Sequence, residues 1–218
     1  YSVGSGSNDE WAGPFEIRAV APSGSPVHAY TAVVHGDTRT NWDRWEEVMK
    51  ASASLDPAFI VNVGDLVTNG LRMNDWNHWF AETPLEFASF PYMPTPGNHE
   101  NQAEEYFLSF ALPENAPAED KEQYYSFDFG NSHWVSINTS YDLDPQVDWL
   151  ARDLGATDKS WKFVYLHHPL YAGHPTRGDG DERLREKLGP VFDEHNVAIV
   201  FQGHDHYYFR TKSIRNEQ

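Results

Sequence analysis

Five short apolar runs in this 218-residue chain each give way to a cluster of cation-binding residue types. "AYTAVV" (29–34) leads into "HGDTR", "AFIVNV" (58–63) into "GDLVTNG", and "YMPT" (92–95) into "PGNHE". "KFVYL" (162–166) is followed by "HHP", and "VAIVFQ" (197–202) by "GHDH". Each run is rich in β-branched or aromatic residues and bounded by Gly, Pro or Asp, so each reads as a buried strand. In open α/β sheets, ligands bind beyond the carboxyl ends of the strands. Five such ends with carboxylates, an asparagine and imidazoles predict one mixed oxygen–nitrogen site.

The segments between the runs carry helical periodicity. "NWDRWEEVMKASASL" (41–55) places Trp42, Trp45, Val48 and Met49 on one face. "NDWNHWFAETPLEFASF" (74–90) reads as a helix that Pro84 limits or kinks. Helices are also expected over 145–155, from Pro145 to Gly155, and over 181–196, with a kink at Pro190. "YYSFDFGNSHWVSINTS" (124–140) alternates around a Gly-Asn turn and predicts a hairpin. The fold class is therefore α/β of the α+β type, a sheet system with an antiparallel element. Residues 1–28 read as a lead-in segment, loose over the Gly/Ser-rich first stretch, and 29–218 as one domain.

Taken singly, the site residues are ordinary. Asp37 or Asp65 fits a helix cap or turn, Asn98 after Gly97 fits a turn, and His167 fits a hydrogen-bonded core histidine. Their common placement is what points to metal. His204 and His206 are expected to use the period-two spacing of an extended segment to face the same side, toward two neighbouring ions. Such a donor set suits Zn, Mn or Fe(II). His28, His35, His78, His133 and His195 lack this setting and read as structural.

Composition narrows the partners. The 33 acidic residues against 16 basic ones give a net charge of −17, which opposes binding to nucleic acid or an anionic membrane. An anionic substrate stays open, because bound cations reverse the local field. With no cysteine, disulfides and thiolate sites are excluded. No run of about 18 apolar residues exists, so no transmembrane helix is expected. "YSVGSGSNDEW" lacks the basic and apolar regions of a signal peptide, although a processed chain would have lost one. A soluble, secreted or periplasmic protein is the expectation.

The order GD, GD, GNHE, H-x-P, GHxH resembles the calcineurin-like metallophosphoesterases, and the flanking text is most similar to their purple-acid-phosphatase-like bacterial branch. The resemblance runs from about Ala29 to Phe209. It implies a four-layer sandwich of two mixed β-sheets flanked by helices, with two divalent metal ions (Zn, Mn or Fe) at one edge. Asp65 would bridge the ions, Asp37 and His206 would hold the first, and Asn98, His167 and His204 the second. His99 matches the family's substrate-facing histidine, and His174 is a further candidate for contacting phosphate. Two positions depart from the pattern. Arg39 stands where many members have a first-metal histidine, and Thr68 where purple acid phosphatases have a tyrosine. Water, Thr68 or Asn69 could fill that gap, and Arg39 could instead grip phosphate through its planar fork or form a surface salt bridge. Relatives also continue past GHDH with further strands, without which one sheet would keep an uncovered edge.

The implied activity is hydrolysis of a phosphate ester by direct in-line attack of a metal-bound hydroxide, with inorganic phosphate as a product. A phosphomonoesterase is the first expectation. A phosphodiesterase or nucleotidase on the same centre is the second, with segments 101–123 and 171–180 shaping the choice. A non-catalytic, metal-stabilised binding domain is the third. Sequence alone leaves the oligomeric state open.

Overall fold

The computed structural model describes residues 3–4, 11–16, 29–176 and 178–215. Within the expected lead-in, β1 (Val3–Gly4) pairs antiparallel with β2 (Trp11–Ala12). Most of 1–28, His28 included, lies outside the described residues.

The five apolar runs are all strands, in two sheets. β3 (Ala32–His35), β4 (Phe59–Asn62) and β5 (Tyr92–Pro94) form a parallel sheet in that order. The second sheet is mixed. β6 (Tyr125–Phe129) and β7 (Ser132–Ile137) make the antiparallel hairpin, and β8 (Trp161–Leu166) and β9 (Ile199–Gln202) extend it in parallel. Gly130, at φ 57°, starts the two-residue hairpin turn, a backbone region that costs glycine little.

Period-two alternation sorts the second sheet into two cores. Trp134, Tyr165 and Phe201 join the cluster shared with β4 and the helices of the first sheet, whereas Val135, Ile137, Val164, Leu166 and Val200 pack into the other. Phe59 meets Trp134 and Phe127 edge-on, each at 5.2 Å between centroids, so the first core runs between the sheets.

Helices cover the outer faces. α1 (Trp42–Ser54), α2 (Met73–Ala81) and α3 (Pro84–Ser89) lie against the first sheet. The single helix expected over 74–90 is two helices. Pro84 opens the second, where its missing N–H is no loss. A short α4 (Glu104–Ser109) lies within the segment 101–123, for which the sequence reading named no element. α5 (Asp144–Ala156) and α6 (Glu182–Glu194) cover the second sheet through Trp149, Leu150, Leu154, Leu184, Leu188 and Phe192. α6 runs on through Pro190.

Buried indoles fasten the helices to the loops that matter. Trp79 Nε1 donates to Thr38 Oγ1 at 3.0 Å, Trp76 Nε1 to the Gly70 carbonyl at 2.8 Å, and Trp45 Nε1 to the Trp79 carbonyl at 3.1 Å. Thr38 and Gly70 belong to the segments after β3 and β4, so helix packing sets where those segments sit.

His133 is a structural histidine with an electrostatic role. Its two ring nitrogens each lie 2.7 Å from a carboxylate, Asp128 on one side and Asp153 on the other. Burial disfavours its charge, but the two aspartates outweigh burial and hold its pKa above the usual histidine value. A folded-state pKa that is raised contributes stability fully present below the unfolded value near 6.5, and lost as pH rises through the folded one. His133→Gln should therefore lower stability by about 1–3 kcal/mol at pH 5.5. The deficit should shrink by pH 9, and thermal melts at the two pH values will measure it.

Candidate metal centre

Every cation-binding residue type singled out in the sequence follows the carboxyl end of a strand. Asp37, Asp65 and Asn98 come after β3, β4 and β5 of the first sheet, and His167, His204 and His206 after β8 and β9 of the second. The site is thus a seam between the two sheets. The loops are stitched across it: His167 Nδ1 donates to the Val63 carbonyl at 2.8 Å, and the His204 N–H donates to the Asp37 carboxylate at 2.9 Å.

Two groups of ligand atoms result. Asp37, Asp65 and His206 bring theirs within 4.8 Å of one another, and His167, His168 and His204 do the same. Asp65 joins the groups. Its Oδ1 is 3.3 Å from His167 Nε2, and His206 Nε2 is 3.3 Å from Asp37 Oδ1. Asn98 Oδ1 reaches 3.1 Å from His167 Nε2, and His204 Nδ1 lies 3.2 Å from that same nitrogen. Because the Nδ1–H of His167 is taken by Val63, its Nε2 carries a lone pair in the neutral ring. It faces two oxygens and a nitrogen, a donor set suited to a divalent ion.

Four of these residues adopt left-handed backbone: Asp37 at φ 56°, Asp65 at 55°, His204 at 71° and His206 at 51°. The histidine pair therefore does not reach the site by the extended, period-two geometry read from the sequence. Two turns with positive φ aim the rings at different groups. Asp and His tolerate this region better than most residues, though at some cost, which the surrounding contacts must offset.

The contacts include a residue the sequence reading passed over. Glu100 is fully buried, and its carboxylate accepts the N–H groups of Asp65 (2.9 Å), Leu66 (2.8 Å), Val67 (3.3 Å) and Gly97 (2.6 Å). It ties the loop after β4 to the loop after β5. Its signal was its place after Asn98 and His99, where a Glu reaching back to the start of a short turn is a capping pattern. Gly97 is required here by space, since a Cβ would stand 2.3 Å from Asp65 Oδ1. Gly64, at φ 96°, likewise leaves room for His167 Nδ1, 2.7 Å from where a Cβ would be.

The ionisable groups of the centre act strongly on one another. Burial pushes Asp65 up, but hydrogen bonding and charge from His167 outweigh it and hold the carboxyl at about 2. Burial disfavours the His167 cation, yet Asp65 raises its pKa. Asp37 is pushed up, first by burial. Asp65 and His167 thus each favour the other's charged form, and a divalent ion bound there would act on the carboxylate in the same sense. His168 differs. Burial first, then the charge of His167, lowers it to about 4, and its Nδ1 meets Thr139 Oγ1 at 2.8 Å.

The remaining candidates fall at different distances from the centre. His99 Nε2 is 3.8 Å from Asp65 Oδ2, and its Nδ1–H donates to the Thr68 carbonyl at 2.7 Å. Arg39 Nε is 3.4 Å from Asp65 Oδ2. Thr68 Oγ1 donates to the Arg39 carbonyl at 2.6 Å, and Asn69 Oδ1 accepts from Leu71 N and Asn101 Nδ2, so both oxygens are engaged elsewhere. His174 is not brought to either group; its partners are Thr176 and the ring of Tyr207. Of the histidines read as structural, His35 is half-buried and stacks on Trp45, and desolvation lowers its pKa to about 4.

The chain and its fold have counterparts among known proteins. Residues 30–208 match the family described as calcineurin-like phosphoesterase. Purple acid phosphatase 18 of Arabidopsis thaliana is 32% identical over 169 residues, which span 70% of this chain and 38% of that protein. The chain thus spans well under half the length of that relative. A purple acid phosphatase from yellow lupin (Lupinus luteus) seeds superposes with a TM-score of 0.75 at 19% identity, covering 89% of this chain and 40% of that one. A dimetal phosphatase from Danio rerio superposes with a TM-score of 0.61 at 15% identity, covering 81% and 82% of the two chains. Through the family match and the sandwich that carries it, this chain belongs to the calcineurin-like phosphoesterase family.

Proposed function

We propose that the domain over 29–218 is a binuclear-metal-dependent phosphoric ester hydrolase, and foremost a phosphomonoesterase. The observation that carries this reading is the sharing of Asp65 between two adjacent ligand groups at one sheet rim. Asp37, Asp65 and His206 form the first ligand set, and Asn98, His167 and His204 join Asp65 in the second. Two divalent ions held there would supply electrophilic activation of the phosphate and a water acidic enough to act as nucleophile near neutrality. The monoesterase preference rests on likeness to purple acid phosphatases, as does a secreted or periplasmic location. Among the described residues no helix is long and apolar enough to cross a membrane.

The chain's own groups divide the work. Glu100 fixes the backbone on which Asp65 and Asn98 stand, which holds the oxygen ligands in place before any ion arrives. His167, locked by the Val63 carbonyl, offers Nε2 in one orientation. The ring of His99 is locked through Nδ1 by the Thr68 carbonyl, and its Nε2 stands on the Asp65 side of the site. In its cationic form that Nε2–H can pass a proton to the departing oxygen. Arg39, beside Asp65, can donate to equatorial phosphate oxygens through its planar fork.

Three outcomes test these roles. Dialysis against a chelator should abolish hydrolysis of an aryl monoester, and Mn or Zn should restore it. The same preparation should act on the monoester in preference to diester and nucleotide substrates. His99→Asn should lower kcat by about 100-fold or more on an alkyl phosphate, whose leaving group needs the proton. The loss should be much smaller on an aryl phosphate with an acidic leaving group, and paired kinetics will show the split. Glu100→Gln should keep two of the four N–H acceptor contacts or fewer. It should cost about 10-fold or more in metal affinity by equilibrium dialysis.

A further inference from the structure

The two ligand sets are unequal, and the inequality lies in Arg39. Its side chain is 23% exposed, and its Nε is buried without a hydrogen bond, yet stands 3.4 Å from Asp65 Oδ2. The loop around it is fixed, because Thr68 Oγ1 grips the Arg39 carbonyl. The guanidinium is a fixed cation beside this carboxylate.

The charge bears on one set more than the other. Asp65 turns Oδ1 toward His167 and Oδ2 toward Arg39 and His99. The second set therefore keeps its share of Asp65 on the side away from the guanidinium. The first set, Asp37, Asp65 and His206, must share the same carboxylate with a fixed cation. The Asn69 carbonyl oxygen, one candidate to complete the set, already accepts from Leu71 and Asn101, and the Thr68 hydroxyl is oriented by the Arg39 carbonyl. His206 is also the more open ring, 48% exposed at the side chain against 0% for His167.

We propose that Arg39 is a built-in counter-ion to Asp65 that makes the first cation site the weak, exchangeable one of the pair. The second ion is held tightly at Asn98, His167 and His204. The first enters only by displacing the guanidinium from Asp65, which frees that fork for a phosphate oxygen. This inference rests on the two-metal reading above, and activity then follows the concentration of free divalent ion.

Zinc or manganese titration of the metal-free chain by calorimetry, with equilibrium dialysis for stoichiometry, tests it. The wild-type chain should bind two ions with dissociation constants at least about 100-fold apart. Arg39→Gln should tighten the weaker site by about 10-fold or more while leaving the tighter one within about threefold. Arg39→Lys, which keeps the charge, should leave the weak site weak, and circular dichroism will show that each variant is folded. Two ions bound by Arg39→Gln at wild-type affinities would overturn the inference and leave the two-metal reading intact. Equal tightening in the Lys variant would also overturn it, because charge would not be the cause. Failure of wild type and Arg39→Gln alike to take a second ion would overturn both readings.

Discussion

A single buried carboxylate organises the rim of this molecule. Glu100 lies in the interior and receives four backbone N–H groups from the two loops that carry Asp65 and Asn98. A carboxylate so deep is tolerated only because those donors replace its water. Burial, and the nearby charge of Asp65, still raise its pKa. The left-handed turn at Asp65 is affordable in this setting, since its own N–H is one of the four. Gly97 and Gly64 clear the space in which Asp65 and His167 meet.

The second organising device is the way a strongly acidic chain treats an anion. The overall charge would repel a phosphate ester, and Asp37 and Asp65 add local negative charge at the rim. The carboxylates are therefore useful only when cations cover them. Arg39 and the imidazoles already supply part of that cover. On the two-metal reading, the field at the rim would depend on how many ions it holds, whereas the field over the rest of the surface would not.

Much of this was legible in the chain. Strand ends announced themselves because apolar β-branched runs stop abruptly at Gly, Pro or Asp, and the residues after them are the ones the fold gathers. The Gly130–Asn131 turn and the break at Pro84 follow from backbone chemistry that is local to those residues. Glu100 was legible only as a cap three residues after Gly97; its other three partners are main-chain groups on the distant loop after β4, which no side-chain pattern reveals. The histidine pair was placed at the right rim for the wrong local reason: period two describes a continuing strand, and β9 ends at Gln202. α4 was too short for periodicity to declare it. His174, singled out by resemblance, belongs to neither ligand group and meets Thr176 and the Tyr207 ring instead.

The seam location of the centre has a consequence for assembly order. All of its oxygen-donating side chains hang from the parallel sheet and all of its imidazole ligands from the mixed one. Neither half of the polypeptide can offer a finished coordination sphere by itself. The hydrophobic layer of Phe59, Trp134 and Tyr165 must close before either ion finds its full set of partners. On the two-metal reading, loading would be a late event in the life of the chain, and bound ions would act as rivets that keep one sheet from sliding over the other.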